Sequence, residues 1–431
     1  MLLSNTQGMA NTILVPAGNA AAFQTALNNA APGDTIMLAG GNYLGSFYTK
    51  KAGTAALPIW IIGTNNSVLR DAPNDPCLNV AHNYYRIQDI TFQNGRRAIY
   101  ITSASHGIVR NCTGKQTAKG AFKVELQSQY WLFENCRVEG PAYEDPGEGF
   151  YVGKANSGWT NGPDNSGYVT FLNCTAFATI DDGFDLKESS HHIKIINCTS
   201  DFNGETLTGN NSKCGIFTRT NNLQVHNFTV KNNPQNSKPA EEAYGVYCET
   251  LPVSGTNYGS NIQLWGVHAE NIYEPMFWFN SINSVTLYNN YTMVNTGGLY
   301  KSGSVQPTPV DPTTFTEMTW VGEGGDAYTN INDILEPPYQ SEISKSFSLE
   351  QNYPNPFNPT TTFSFSIPST LFVSLKIFDV LGREVTTLVS GIMSPGNHVV
   401  TWNAGELPSG IYVYQMRTGG SLETKKCILI K

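Results

Sequence analysis

Four short stretches that end alike decide the fold: Ile108-Val109-Arg110-Asn111-Cys112, Leu132-Phe133-Glu134-Asn135-Cys136, Thr170-Phe171-Leu172-Asn173-Cys174 and Ile195-Ile196-Asn197-Cys198. Their cysteines are spaced by 24, 38 and 24 residues, so the middle interval is one period with 14 residues inserted. Fainter copies stand at Ile90-Thr91-Phe92, Val225-His226-Asn227-Phe228 and Leu287-Tyr288-Asn289-Asn290. Each period holds two or three short alternating strands broken by Gly, Asn or Ser. A unit this small cannot bury its own apolar face, so the copies must stack.

Short strands at a period in the low twenties resemble a right-handed parallel β-helix, and the fold class read here is all-β. Rungs about 4.8 Å apart, with about twelve of them, give a rod of roughly 55–60 Å. Composition agrees. The 431 residues carry only 14% charged side chains but 40 Gly, 23 Pro and 43 Asn, the mixture of chains built from strands and turns. Net charge is −8 with no basic run, which speaks against nucleic acid and anionic membranes as partners. The sequence contains no apolar run long enough for a transmembrane segment.

The repeat also explains the cysteines. Cys112, Cys136, Cys174 and Cys198 share one repeat position and form an inward column, whose parallel Cβ vectors suit buried free thiols rather than disulfides. The neighbouring Asn column lets side-chain amides bond up the stack at a turn, which accounts for the Asn-Cys-Thr triplets without glycosylation. Ahead of the first clear rung, Phe23 to Ala31 reads as a short amphipathic helix capping the open end of the solenoid. Met1 to Asn11 shows no basic segment followed by an apolar one, so no signal peptide is visible there.

Composition shifts near residue 300 to a Pro-, Thr- and Ser-rich connection, and after Ser346 to a small antiparallel β-sandwich. Its strands are expected at 362–367, 373–378, 398–402, 411–416 and 425–430. Leu349-Glu350-Gln351-Asn352-Tyr353-Pro354-Asn355-Pro356-Phe357-Asn358-Pro359, then Phe378-Asp379-Val380-Leu381-Gly382-Arg383-Glu384-Val385, then Ser409-Gly410-Ile411-Tyr412 resemble the type A sorting domain of the type IX secretion system. The resemblance implies that secretion machinery as a partner, and a secreted or cell-surface product from a Bacteroidetes-like cell. The expected organisation is 1–12 leader remnant, 13–300 β-helix with its cap, 301–342 connection and linker, and 343–431 sorting domain.

The chemical signal is Thr179-Ile180-Asp181-Asp182-Gly183-Phe184-Asp185-Leu186. Carboxylates ~4 Å apart repel by about 4 kcal/mol at an effective dielectric of 20, a cost that a hard cation such as Ca²⁺ removes. One rung earlier lies Gly147-Glu148-Gly149-Phe150, which stacking would place over the acidic turn. The insertion, Asn156 to Asn165, belongs to that rung and could wall a groove.

Here the chain resembles family 9 polysaccharide lyases, the calcium-dependent pectate lyases built on a β-helix. The resemblance spans roughly residues 80–295. It implies metal ligands at Glu148, Asp181, Asp182 and Asp185, with Glu148 where those enzymes have Asp. Gly209-Asn210-Asn211-Ser212-Lys213 partly matches the family's third motif and makes Lys213 the candidate base. The register is uneasy there, and Arg219 or Lys187 could serve instead. The implied chemistry is β-elimination on an acidic, uronate-containing polysaccharide. Two alternatives stand: a non-catalytic surface protein that binds glycans or builds a fibre, and a polygalacturonase-type hydrolase, for which the chain lacks the Gly-His-Gly motif.

Overall fold

A computed structural model describes residues 10–314 and 348–430. Short stretches at 65, 141–146, 159–161, 180, 203–213, 234–243, 281–283, 368–370, 381–382, 394–395, 406 and 418–421 fall outside the described residues. The chain divides into two compact units, Met1–Asp326 and Ala327–Lys431.

The first unit is a right-handed parallel β-helix. One face is a nine-stranded parallel sheet running from Phe47–Tyr48 to Phe277–Asn280, and an 18-stranded sheet supplies the rest of the wall. The helix runs from Ala20 to Asn29, earlier than its apolar residues suggest, because the Asn19 side chain accepts the Ala22 N–H at 2.9 Å and caps it. Phe23 and Leu27 close the end of the core. Among the described residues eleven strands stack in register along the larger sheet, and Val310 bridges Tyr288 beyond the last of them, close to the expected twelve rungs. The later coils are longer: Cys198 pairs with Phe228 and Phe228 with Val267, intervals of 30 and 39 residues. The second of these intervals also carries a two-stranded antiparallel hairpin, Leu251–Val253 with Thr256–Tyr258.

Two inner features follow from sequence. The four repeat cysteines are buried free thiols, and each Sγ lies near a backbone carbonyl, as Cys136 does to Val109 O at 3.4 Å. The preceding asparagines sit at φ near +52°, a left-handed turn conformation that Asn tolerates. Their amides bond along the stack, Asn173 to Asn135 at 3.2 Å, Asn135 to Asn111 at 3.1 Å and Asn111 to Asp89 at 3.0 Å. Residues 301–314, within the expected connection, still pair with the last coil: Val305 N reaches Phe279 O at 2.9 Å and Val310 bridges Tyr288.

The second unit pairs a three-stranded and a four-stranded antiparallel sheet. Four of the five expected strands appear with extended ends, and the fifth, expected at 425–430, spans Leu422–Leu429. Two further strands were not anticipated: the two-residue Ser348–Leu349, and Glu384–Met393, which lies at a sheet edge with two register shifts, where regular alternation is not required. The Asn-Tyr-Pro-Asn-Pro-Phe segment ties this unit together. Asn352 N donates to Tyr414 Oη at 3.0 Å, Asn355 Oδ1 accepts from Ile428 N at 2.9 Å, and Phe357 fills the core.

Candidate functional site

The outer face of the nine-stranded sheet carries the acidic cluster. Register pairs Tyr100 with Lys123, Lys123 with Tyr151, Tyr151 with Asp185, Asp185 with Phe217, Phe217 with Tyr247 and Tyr247 with Trp278. These residues form one outward column. The inward neighbours Phe122, Phe150 and Phe184 stack beneath it, with centroids 5.3 and 4.8 Å apart. This inner ladder explains the repeated Gly-Phe: the phenyl rings fill the core while Gly149, Gly183, Gly215 and Gly245 let adjacent coils close up. A Cβ at Gly149 would come within 2.6 Å of Gly183 O, and one at Gly183 would collide with Ser200 Oγ.

Stacking brings Glu148, Asp181, Asp182 and Asp185 together, all buried. Gly149 N bonds Asp182 O at 2.9 Å, which sets Glu148 beside the acidic turn. Two of the acids hold backbone. Asp181 Oδ2 accepts Gly147 N and Asp182 Oδ1 accepts Cys214 N, each at 2.7 Å. The other two each keep a buried oxygen without a hydrogen-bond partner, Glu148 Oε2 and Asp185 Oδ1. Burial, then Asp185 and Asp181, push Glu148 up to about 8 against the opposing Lys187. Asp182 is raised well above the carboxylate range, by burial first and then by Asp185 and Asp181.

Basic residues line the same face. Lys187 Nζ stands 2.5 Å from Asp185 Oδ2. Burial opposes its charge, but Asp185 and Glu148 outweigh burial and hold the ammonium above its usual range. Arg219 Nε is 3.3 Å from the buried Glu188, whose other oxygen accepts Asn156 N from the insertion. The insertion is anchored again at Asp164, which accepts the N–H groups of Leu126 and Gln127 at 2.9 and 3.0 Å.

Lys213 lies outside the described residues. The register nevertheless assigns the position directly after Gly215-Ile216, opposite Asp185, to Phe217. Two features of this face were not singled out from sequence. One is the aromatic end, where Phe217 stacks on Tyr247 at 4.7 Å and Tyr247 on Trp278 at 4.1 Å. The other is Lys123. Neither forms a motif in the linear chain; parallel stacking across 28 to 34 residues assembles them. His191 and His192 begin a strand and are half-buried, and burial with the His192 neighbour lowers His191 to about 4.

The donor set suits a hard cation, since the partnerless atoms are carboxylate oxygens in a buried, mutually repelling group. Among the described residues, no three His, Cys, Asp or Glu side chains converge into a complete metal cage. Glu148 and Asp185 thus offer two oxygens, while Asp181 and Asp182 are partly committed to the turn.

Residues 5–216 match the family model described as Pel9A-like, right handed beta helix region, and residues 351–431 match the secretion system C-terminal sorting domain. The chain therefore carries a Pel9A-like right-handed β-helix region followed by a secretion system sorting domain, which marks it for export to the cell surface or beyond it. No helix among the described residues is long and apolar enough to cross a membrane. No curated protein matches the chain in sequence. Among solved structures, it is similar to an alginate lyase from a Paenibacillus species (20% identity, TM-score 0.56), over 67% of this chain and 99% of that one. It is also similar to a rhamnogalacturonan lyase (14% identity, TM-score 0.50), over 70% of this chain and 86% of that one. At these identities the likeness shows the fold.

Proposed function

We propose that the protein is a secreted or cell-surface, calcium-dependent polysaccharide lyase that cleaves a uronate-containing polymer by β-elimination. The observation that carries this reading is the pair of partnerless buried oxygens, Glu148 Oε2 and Asp185 Oδ1, beside lysines on one outward sheet face. The family match over residues 5–216 and the two lyase-named structures support it.

In this reading Glu148 and Asp185 hold the cation, and Asp182 and Asp181 keep the turn in place. Bound calcium would neutralise the uronate carboxylate and so acidify the adjacent C5 proton. The chain's own part is to hold the sugar and take that proton. An amine lone pair accepts the C5 hydrogen, the C5–H electrons become the C4=C5 double bond, and the C4–O bond breaks. The leaving oxygen takes a proton from water. Arg219 supplies positive charge to an anionic substrate. Incubation with alginate, pectate and chondroitin, following the 4,5-unsaturated product with calcium and with chelator, tests the reading.

Phe217 favours a second reading. An aromatic ring stands where the resembled family carries its lysine, and a glycan-binding surface protein needs no base at all. Binding of an acidic polysaccharide with no unsaturated product would select it.

A further inference from the structure

We infer that Lys123 is the base of the proposed elimination, in place of the lysine of the resembled family's third motif. The inference rests on the lyase reading above and concerns which residue serves it. Lys123 sits in the same outward column as Asp185, with only Tyr151 between them in register. Parallel strands about 4.8 Å apart put its Cα about 10 Å from that of Asp185, within reach of a long side chain and one sugar ring. The amine leans toward the acidic turn: Nζ is 4.3 Å from the Tyr151 centroid and 6.0 Å from that of Tyr100. On the same Tyr151 ring, at 5.2 Å, lies the Lys187 amine. A uronate held by Glu148 and Asp185 therefore meets both amines across Tyr151.

The two lysines are not equivalent. Lys187 is clamped to Asp185 at 2.5 Å, so its ammonium balances a carboxylate of the acidic turn itself. Lys123 is held by Glu125, 2.6 Å from Nζ and outside the cluster, while Glu125 also accepts the Tyr100 hydroxyl. That second donor leaves Glu125 only partly available to the amine. The hydroxyl takes Oε1 while the amine faces Oε2. The groups around Lys123 are Arg97 and Tyr100 on one neighbouring strand, Glu125 on its own, and Tyr151 with Glu148 on the other. Burial and the Arg97 charge draw the amine below its usual range, against Glu125 and Glu148. Its side chain keeps 12% exposure, enough for substrate to touch the amine. A base must shed its proton more readily than an ordinary lysine, and the shift at Lys123 runs in that direction whereas the one at Lys187 runs against it.

The test compares Lys123→Gln, Lys123→Arg and Lys187→Gln in the full-length, calcium-loaded protein, with thermal melts confirming folding. Lys123→Arg keeps the charge beside Glu125 but cannot deprotonate. Both Lys123 variants should lose at least a thousandfold in kcat with KM within a few fold, and the rising limb of the pH–rate profile should vanish. Small primary amines should partly restore a Lys123→Ala variant. Lys187→Gln should retain that pH limb. Lys123→Arg within tenfold of wild type, or loss of the limb in Lys187→Gln alone, overturns the assignment while the lyase reading stands. A folded wild type that forms no unsaturated product from any uronate polymer overturns both.

Discussion

The Asp182 carboxylate accepts the backbone N–H of Cys214 at 2.7 Å, one coil further along the solenoid. One acid of the cluster thus works as a clamp between coils, whereas Asp185, three residues on, leaves Oδ1 without a partner. The two invite different outcomes. Asp182→Ala strands a buried N–H and should destabilise the protein by about 1–3 kcal/mol with or without calcium. Asp185→Asn leaves the buried Lys187 ammonium without its carboxylate, so it too should lower the ion-free melting temperature, but unlike Asp182→Ala it should also abolish the stabilisation that added calcium gives. Differential scanning calorimetry of both variants, with calcium and with chelator, measures this. A calcium-induced rise in melting temperature that survives in Asp185→Asn removes that residue from the site.

The raised Glu148 gives a pH dependence with a definite sign. Its folded value is about 8, against about 4.3 for an ordinary Glu. The folded state then binds the extra proton, so this contribution to stability is full below about pH 4 and is lost as pH rises through about 8. Without calcium the protein should therefore lose stability between pH 5 and 8.5, and Glu148→Gln should flatten that loss. Calcium needs the ionised carboxylate, so its affinity should climb over the same interval. Urea unfolding across this range with chelator present checks the first claim, and titration calorimetry the second. Wild type and Glu148→Gln with the same pH slope would contradict it.

The stacked glycines are a packing requirement. A methyl group at Gly183 meets Ser200 Oγ and lies 2.9 Å from Gly215 O. Gly183→Ala should lower stability by about 1–3 kcal/mol through overpacking, and should loosen the acidic turn with it. Thermal melts and calcium titration of the variant should both show the loss.

Asn135 combines a φ of +52° with a place in the amide ladder. Asn135→Ala loses the bonds and strains the turn, for a combined loss of about 1–3 kcal/mol. Asn135→Gly loses only the bonds and should fall between wild type and the alanine variant in chemical denaturation. Equal losses would mean that the turn conformation is immaterial.

Much of this was legible in the chain itself, for reasons that particular residues show. Asn111, Asn135 and Asn173 repeat because each coil needs the same left-handed turn, so the period is written in plain view. Asp181, Asp182 and Asp185 are visible because three acids in five residues conflict with an ordinary buried turn. Lys123 was not visible, since Phe122-Lys123-Val124-Glu125 reads as any alternating strand and gains meaning only from Tyr151 and Asp185 in neighbouring coils. The edge strand Glu384–Met393 was missed for the converse reason: its register shifts break the alternation that marks a strand.

Export should depend on the folded sandwich. Trp402 packs on Phe357 and Phe363 at 5.5 and 6.3 Å, within the second unit's core. Trp402→Ala should destabilise that unit by about 3–5 kcal/mol. In a host with type IX secretion, immunoblots of cell fractions should show the variant retained in the periplasm while wild type reaches the surface. Mass spectrometry of the exported wild type should show a product ending near residue 345, and surface delivery of Trp402→Ala at the wild-type level would refute the dependence.

The most direct measurement of the central claim is product analysis of wild-type protein incubated with alginate, pectate, chondroitin and rhamnogalacturonan, each with calcium and with chelator. The account predicts 4,5-unsaturated oligosaccharides from at least one polymer, formed with calcium and suppressed by chelator. Saturated products, unsaturated products indifferent to chelator, or no cleavage of any polymer by folded protein would contradict it.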